Sequence, residues 1–190
     1  MSEMTEFIAV LVQHLLAGQC TERVSYVHGP MGSGKSEAAL EVLRLLRRSG
    51  RAAIVLIAGT EPRTAIISRS GGRLPGHPAR RIVDRPDFIT NDCSFLVIDE
   101  AQFLRDDEVL SINQLASNDR IQTICFGLYW DSDGRLFQGT RSLLDSGARA
   151  LSLPHELRCW CGSPAVGDVI WAAGKRKYVS ACIEHKGLRL

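Results

Sequence analysis

The segment Gly29-Pro30-Met31-Gly32-Ser33-Gly34-Lys35-Ser36 places a glycine, four residues, and then Gly-Lys-Ser in a row. That spacing suits the capture of a polyphosphate. Glycines let the backbone curl until several N–H groups point at phosphate oxygens. A helix opening directly behind the loop turns its positive end toward the same anion. Lys35 brings a full charge to the β- and γ-phosphates, and Ser36 offers a hydroxyl to Mg²⁺.

A second signal is Asp99-Glu100, directly after the apolar run Phe95-Leu96-Val97-Ile98. A carboxylate at the end of a core strand can hold Mg²⁺, directly or through water. Its neighbour Glu100 suits proton transfer or the orientation of a nucleophile. A third signal lies near the C-terminus, where Cys159-Trp160-Cys161 is followed later by Cys182-Ile183-Glu184-His185. Three thiols and an imidazole in two close pairs read as a tetrahedral structural zinc site, although the first pair has one intervening residue instead of the usual two. Cys20, Cys93 and Cys125 stand alone and read as small buried hydrophobes.

These groups need a scaffold. Residues 24–27 read as a strand feeding the glycine loop. Residues 37–48 read as the helix behind it, with Ala38, Val42, Leu45 and Leu46 on one face and Gly50 at its C-cap. The continuous apolar run 52–57 suits a strand buried on both faces of a parallel sheet. Residues 58–81 are rich in Gly, Pro, Ser and Arg and read as a long loop holding Arg63, Arg69, Arg73, Arg80 and Arg81. Such arginines can clamp phosphates, though a solvated basic loop accounts for most of them. Further strands are expected at 95–98, 122–127 and 150–153, a loop at 128–138 and a short helix at 140–146. The alternation predicts an α/β fold, a parallel sheet flanked by helices. An N-terminal helix over 5–17, with Phe7, Leu11, Leu15 and Leu16 as its stripe, reads as a packed extension. The chain divides into an α/β nucleotide-binding domain at 1–154, with 1–22 as helical extension, and a small zinc-binding domain at 155–190.

Composition narrows the class. With 190 residues, 45% hydrophobic and 23% charged, the chain can bury one sizeable core. A net charge of +2 gives no basis for a nucleic acid or an anionic membrane as partner. No run is long and apolar enough to span a bilayer, and Glu3 and Glu6 stand where a secretory signal has basic residues. A cytoplasmic protein with reduced cysteines is expected.

The motifs together resemble the zinc-containing, RecA-like (type II) thymidine kinases. The resemblance runs in order from about Val24 to His185. It rests on the loop 29–36, Ile67-Ser68-Arg69-Ser70-Gly71, Asp99-Glu100-Ala101-Gln102-Phe103, Gly127-Leu128 with Asp131, Gly134, Phe137, Gly139 and Thr140, and Lys177-Tyr178 with Cys182 and His185. It implies a P-loop sheet with a zinc-binding lasso, and phosphoryl transfer from MgATP to the 5′-hydroxyl of thymidine, with deoxyuridine a weaker acceptor. Residues 29–36 and Asp99 would bind the nucleotide and Mg²⁺, with Lys35 and Glu100 catalytic and Glu100 the general base. Arg63, in a Glu-Pro-Arg that stands where the family has Asp-x-Arg, joins the catalytic candidates. Gln102, Phe103, Gly174 and Tyr178 would contact the nucleoside. A loop over 166–181, anchored by zinc on Cys159, Cys161, Cys182 and His185, would cover the base. A homo-tetramer is implied as well. The chain departs from the family's usual residues at Gly32, Tyr129-Trp130 and Trp171 to Gly174. An alternative reading is a P-loop ATPase with a zinc-ribbon tail acting on another substrate.

Overall fold

The computed structural model describes residues 2–19, 22–59, 64–90, 92–118, 121–171 and 177–188. Its elements in chain order are α1 (Glu3–Leu16), β1 (Val24–His28), α2 (Lys35–Arg48), β2 (Ala52–Ile57), β3 (Ala65–Ile67), β4 (Arg73–Pro75), β5 (His77–Pro78), α3 (Arg81–Asp84), β6 (Cys93–Asp99), α4 (Asp106–Asn118), β7 (Gln122–Gly127), α5 (Gln138–Asp145), β8 (Arg149–Ser152), β9 (Gly167–Trp171) and β10 (Lys177–Ala181).

The apolar runs pair into one six-stranded sheet in the order β5-β2-β6-β7-β1-β8, with every neighbour parallel. Parallel neighbours need crossovers, and α2, α4 and α5 supply them. Alternate residues of each strand therefore enter two cores. On one face Val27, Val97 and Phe126 meet Val42 and Leu46 of α2. On the other, Tyr26, Leu96 and Ile98 meet Val109 and Ile112 of α4 and Leu143 of α5. Among the described residues no helix is long and apolar enough to cross a membrane.

Several expectations are corrected here. The N-terminal helix turns a different stripe inward, Ile8, Leu11, Val12 and Leu15, while Phe7 and Leu16 are only partly buried. It is a layer of the core, because these residues share a cluster with α2. The strand at 52–57 is buried only over its second half, where the edge strand β5 pairs with Leu56 and Ile57. Residues 64–81 are not one loop. β3 and β4 form an antiparallel hairpin, and β5 adds a short parallel strand to the sheet edge. The segment 166–181 is not a simple loop either, because β9 and β10 pair antiparallel. Finally, α4 was not anticipated from the sequence.

Candidate active site

The loop after β1 is shaped by Gly32 and Gly34, both in the left-handed region. Gly34 has φ 90 and caps α2 with no side-chain hydrogen bond. The first-turn N–H groups of α2 are thus left to an anion. Lys35 Nζ donates to the carbonyls of Gly29 at 3.0 Å and Pro30 at 2.8 Å, so the ammonium folds back over the loop. Burial lowers its pKa to about 8, against the pull of Asp168, Glu100 and Asp99. Ser36 Oγ donates to Asp99 Oδ2 at 3.4 Å.

That last contact spans the sheet. β7, which ends in Gly127, lies between β1 and β6, so the end of β6 reaches the start of α2 across one intervening strand. A Cβ at Gly127 would lie 2.7 Å from Gln102 Oε1 and 2.7 Å from the Tyr26 hydroxyl. Asp99 is buried, and its pKa rises to about 6, first through burial and then through the charge of Glu100. Glu100 has φ 56, the one non-glycine residue in the left-handed region among the described residues. Such strain costs about 1–3 kcal/mol and persists where the surroundings hold it. Gln102 is part of that hold. It is 2% exposed, its Nε2 donates to Glu100 Oε2 at 2.7 Å, and its Oε1 accepts the Leu128 N–H at 3.0 Å. Gly139 lets α5 press on the same turn, since a Cβ there would meet the Ala101 carbonyl at 2.6 Å.

The segment after β7 is pinned from two sides. The Tyr26 hydroxyl donates to the Leu128 carbonyl at 2.5 Å, and Thr140 Oγ1 donates to the same oxygen at 2.8 Å. Lys186 Nζ lies 3.3 Å from the centre of the Trp130 ring and donates to the Gly134 carbonyl at 3.3 Å. Together these walls enclose a cavity of about 680 Å³, lined by Lys35, Ser36, Asp99, Glu100, Phe103 and Tyr178 among others. That volume suits a drug-sized ligand.

Behind the hairpin of β9 and β10, the ligand atoms of Cys159, Cys161, Cys182 and His185 lie within 4.8 Å of one another. A tetrahedral site with Zn–S bonds of about 2.3 Å spaces its sulfurs about 3.8 Å apart. Sγ of Cys161 and Sγ of Cys182 are 3.8 Å apart, and His185 Nδ1 lies 3.4 Å from Cys159 Sγ and 3.2 Å from Cys182 Sγ. Hydrogen bonding from Ser163 draws the Cys161 thiol down to about 6, toward the thiolate that binds metal. The residues fit a zinc ion.

Residues 22–186 match the thymidine kinase family. This chain belongs to that family. It is 28% identical over 192 residues to a thymidine kinase of Mesorhizobium japonicum, covering 86% of this chain and 90% of that one. It is 29% identical over 162 residues to a thymidine kinase of Cutibacterium acnes, covering 77% and 71%. Among solved structures, AMPPCP-bound DnaA from Aquifex aeolicus superposes with a TM-score of 0.51 at 14% identity, over 80% of this chain and 47% of that one. That likeness concerns the fold alone, a P-loop α/β sheet.

The thymidine kinase motifs converge as a set. Met31, Gly32, Gly34, Lys35 and Ser36 of the loop line one cavity with Asp99, Glu100, Gln102, Phe103 and Tyr178, and the four Cys/His ligands form one cluster. Tyr178 is 52% exposed, and Phe103 packs edge-on to Phe137 with ring centres 5.7 Å apart. Arg63 and Gly174 lie outside the described residues. Three features escaped sequence reasoning: Gln102 as a buried link, the Trp130–Lys186 contact and Asp168. A lone acid inside the apolar run 165–171 was the available signal for Asp168.

Proposed function

We propose that this thymidine kinase family member transfers the γ-phosphoryl group of ATP to the 5′-hydroxyl of thymidine, giving thymidine 5′-monophosphate for salvage into DNA synthesis. The observation that carries the proposal is the shared cavity. Residues of the anion-binding loop, Asp99, Glu100 and Tyr178 of the hairpin all line it.

In this reading the triphosphate lies along residues 29–36, with its charge met by Lys35, the open N–H groups of α2 and Arg63 as a further cation. Ser36 and Asp99 hold Mg²⁺, which neutralises charge on the transferring phosphate when bound. Glu100, oriented by Gln102, takes the proton of the 5′-hydroxyl. Phe103 and Tyr178 flank the nucleoside, and main chain around Gly174 reads the edge of the base. Zinc on Cys159, Cys161, Cys182 and His185 anchors the domain 155–190 against the α/β domain 1–154. The reduced thiols that such a site requires suit a cytoplasmic enzyme. A homo-tetramer, with no nucleic acid and no membrane as partner, follows the family pattern.

Substrate choice follows from the base edge. Thymine and uracil each present an N3 donor between two carbonyl acceptors. Cytosine presents an amino donor and an acceptor instead, which leaves buried polar groups unpaired and is rejected strongly. Loss of the 5-methyl group costs only about 1 kcal/mol of burial. An assay of nucleosides with MgATP is expected to rank thymidine first, deoxyuridine weaker, and deoxycytidine and purine nucleosides near background. Deoxycytidine or deoxyguanosine as best acceptor would refute the substrate assignment. Free phosphate formed independently of every nucleoside would favour the ATPase reading instead.

A further inference from the structure

Asp168 belongs to β9, in the hairpin that forms the nucleoside side of the cavity, but its carboxylate reaches the phosphate loop. Its Oδ2 accepts the Met31 N–H at 2.6 Å. Ser180, its cross-strand partner on β10, donates to its Oδ1 at 3.5 Å. The side chain is 8% exposed and lines the cavity. Among the described carboxylates it does most to favour the charge on Lys35, ahead of Glu100 and Asp99. A buried anion thus holds a loop N–H beside the loop lysine, the two kinds of group that a terminal phosphate needs.

We propose that Asp168 is a latch between the phosphate loop and the hairpin: its carboxylate occupies the Met31 N–H, in the cavity that Lys35 also lines, until a triphosphate displaces it and releases the hairpin. The inference rests on the reading of residues 29–36 as the ATP site and deepens it. Two anions cannot share one N–H and the nearby lysine at low cost, because like charges at close range oppose each other. Displacement therefore subtracts from ATP affinity. It also links the phosphate end of the site to Tyr178, which is on β10 of the same hairpin. Asp168 is a positioning residue in this scheme. It accepts no proton from substrate, and it acts through the loop and the hairpin.

Asp168→Asn keeps the size and one acceptor while removing the charge. Calorimetric titration with Mg²⁺ and the β,γ-imido analogue of ATP is expected to give a Kd about tenfold tighter than wild type. Ser180→Ala, which keeps the charge, is expected to stay within about twofold. Unchanged or weaker binding by Asp168→Asn overturns the latch. A wild-type protein that does not bind the analogue overturns the ATP-site reading itself, and the latch with it. Hydrogen exchange on the wild type gives an independent arm should Asp168→Asn fail to fold. Amides of 167–171 and 177–181 are expected to exchange faster with the analogue and Mg²⁺ than without. Equal or slower exchange overturns the proposal.

Discussion

Glu100 is held in left-handed backbone by the buried amide of Gln102, and that arrangement makes its basicity separable from its shape. Glu100→Gln keeps the shape and removes the proton acceptor. A positioned base is worth about 10²–10⁴ in rate, so kcat is expected to fall by about that factor while nucleotide binding stays the same. Normal turnover by Glu100→Gln would require another base. The neighbouring charges set a pH window as well. Below about 6 Asp99 takes up a proton and loses the charge that a divalent cation needs. Above about 8 Lys35 loses the charge that the triphosphate needs. kcat/KM for MgATP, which reports the free enzyme, is expected to fall on both sides of that window. A flat profile from pH 5 to 9 would contradict these assignments.

The elements carry the next layer. The hairpin of β9 and β10 runs between the two halves of the Cys/His cluster, so its geometry depends on that cluster. About one zinc per chain is expected by metal analysis. Removal of zinc, with Mg²⁺ then restored in excess, is expected to raise KM for nucleoside more than KM for ATP, because the phosphate loop belongs to β1 and α2. Equal effects on both, or full activity without metal, would separate the cluster from the site. Legibility of elements followed locality. The loop 29–36 was readable because its chemistry is contiguous, and β2 and β6 because each carries an unbroken apolar run. The helix α4 was not, since Val109, Ile112 and Ala116 are its buried apolar contacts amid Asp106, Asp107, Glu108 and Gln114. Its start is marked by half of a capping box, Glu108 accepting the Arg105 N–H at 2.9 Å, with no Ser or Thr at residue 105 to complete the sequence signature. The links made by Gln102 and Asp168 join residues far apart in sequence, and no spacing announces them.

At the scale of the whole molecule, α1 is the element whose contribution was least evident beforehand. Its Ile8 is fully buried in the core shared by α2 and the sheet, on the face behind the phosphate loop. Ile8→Ala is expected to lower unfolding free energy by about 2–5 kcal/mol in denaturant titration, with kcat of the folded fraction unchanged. A loss under about 0.5 kcal/mol would mean that the helix is a peripheral extension after all. The sheet order places the phosphate loop and the acidic strand end on either side of Gly127, and the tail closes the remaining side through Trp130, Lys186 and the hairpin. In the proposed function this arrangement brings a triphosphate and a hydroxyl acceptor together beside Glu100 as base. Chromatographic quantification of thymidine 5′-monophosphate and ADP from thymidine and MgATP tests this most directly. Wild-type protein is expected to form the two products in equal amounts, and folded Lys35→Ala almost none. ADP without the monophosphate, or near wild-type turnover by Lys35→Ala, would contradict it.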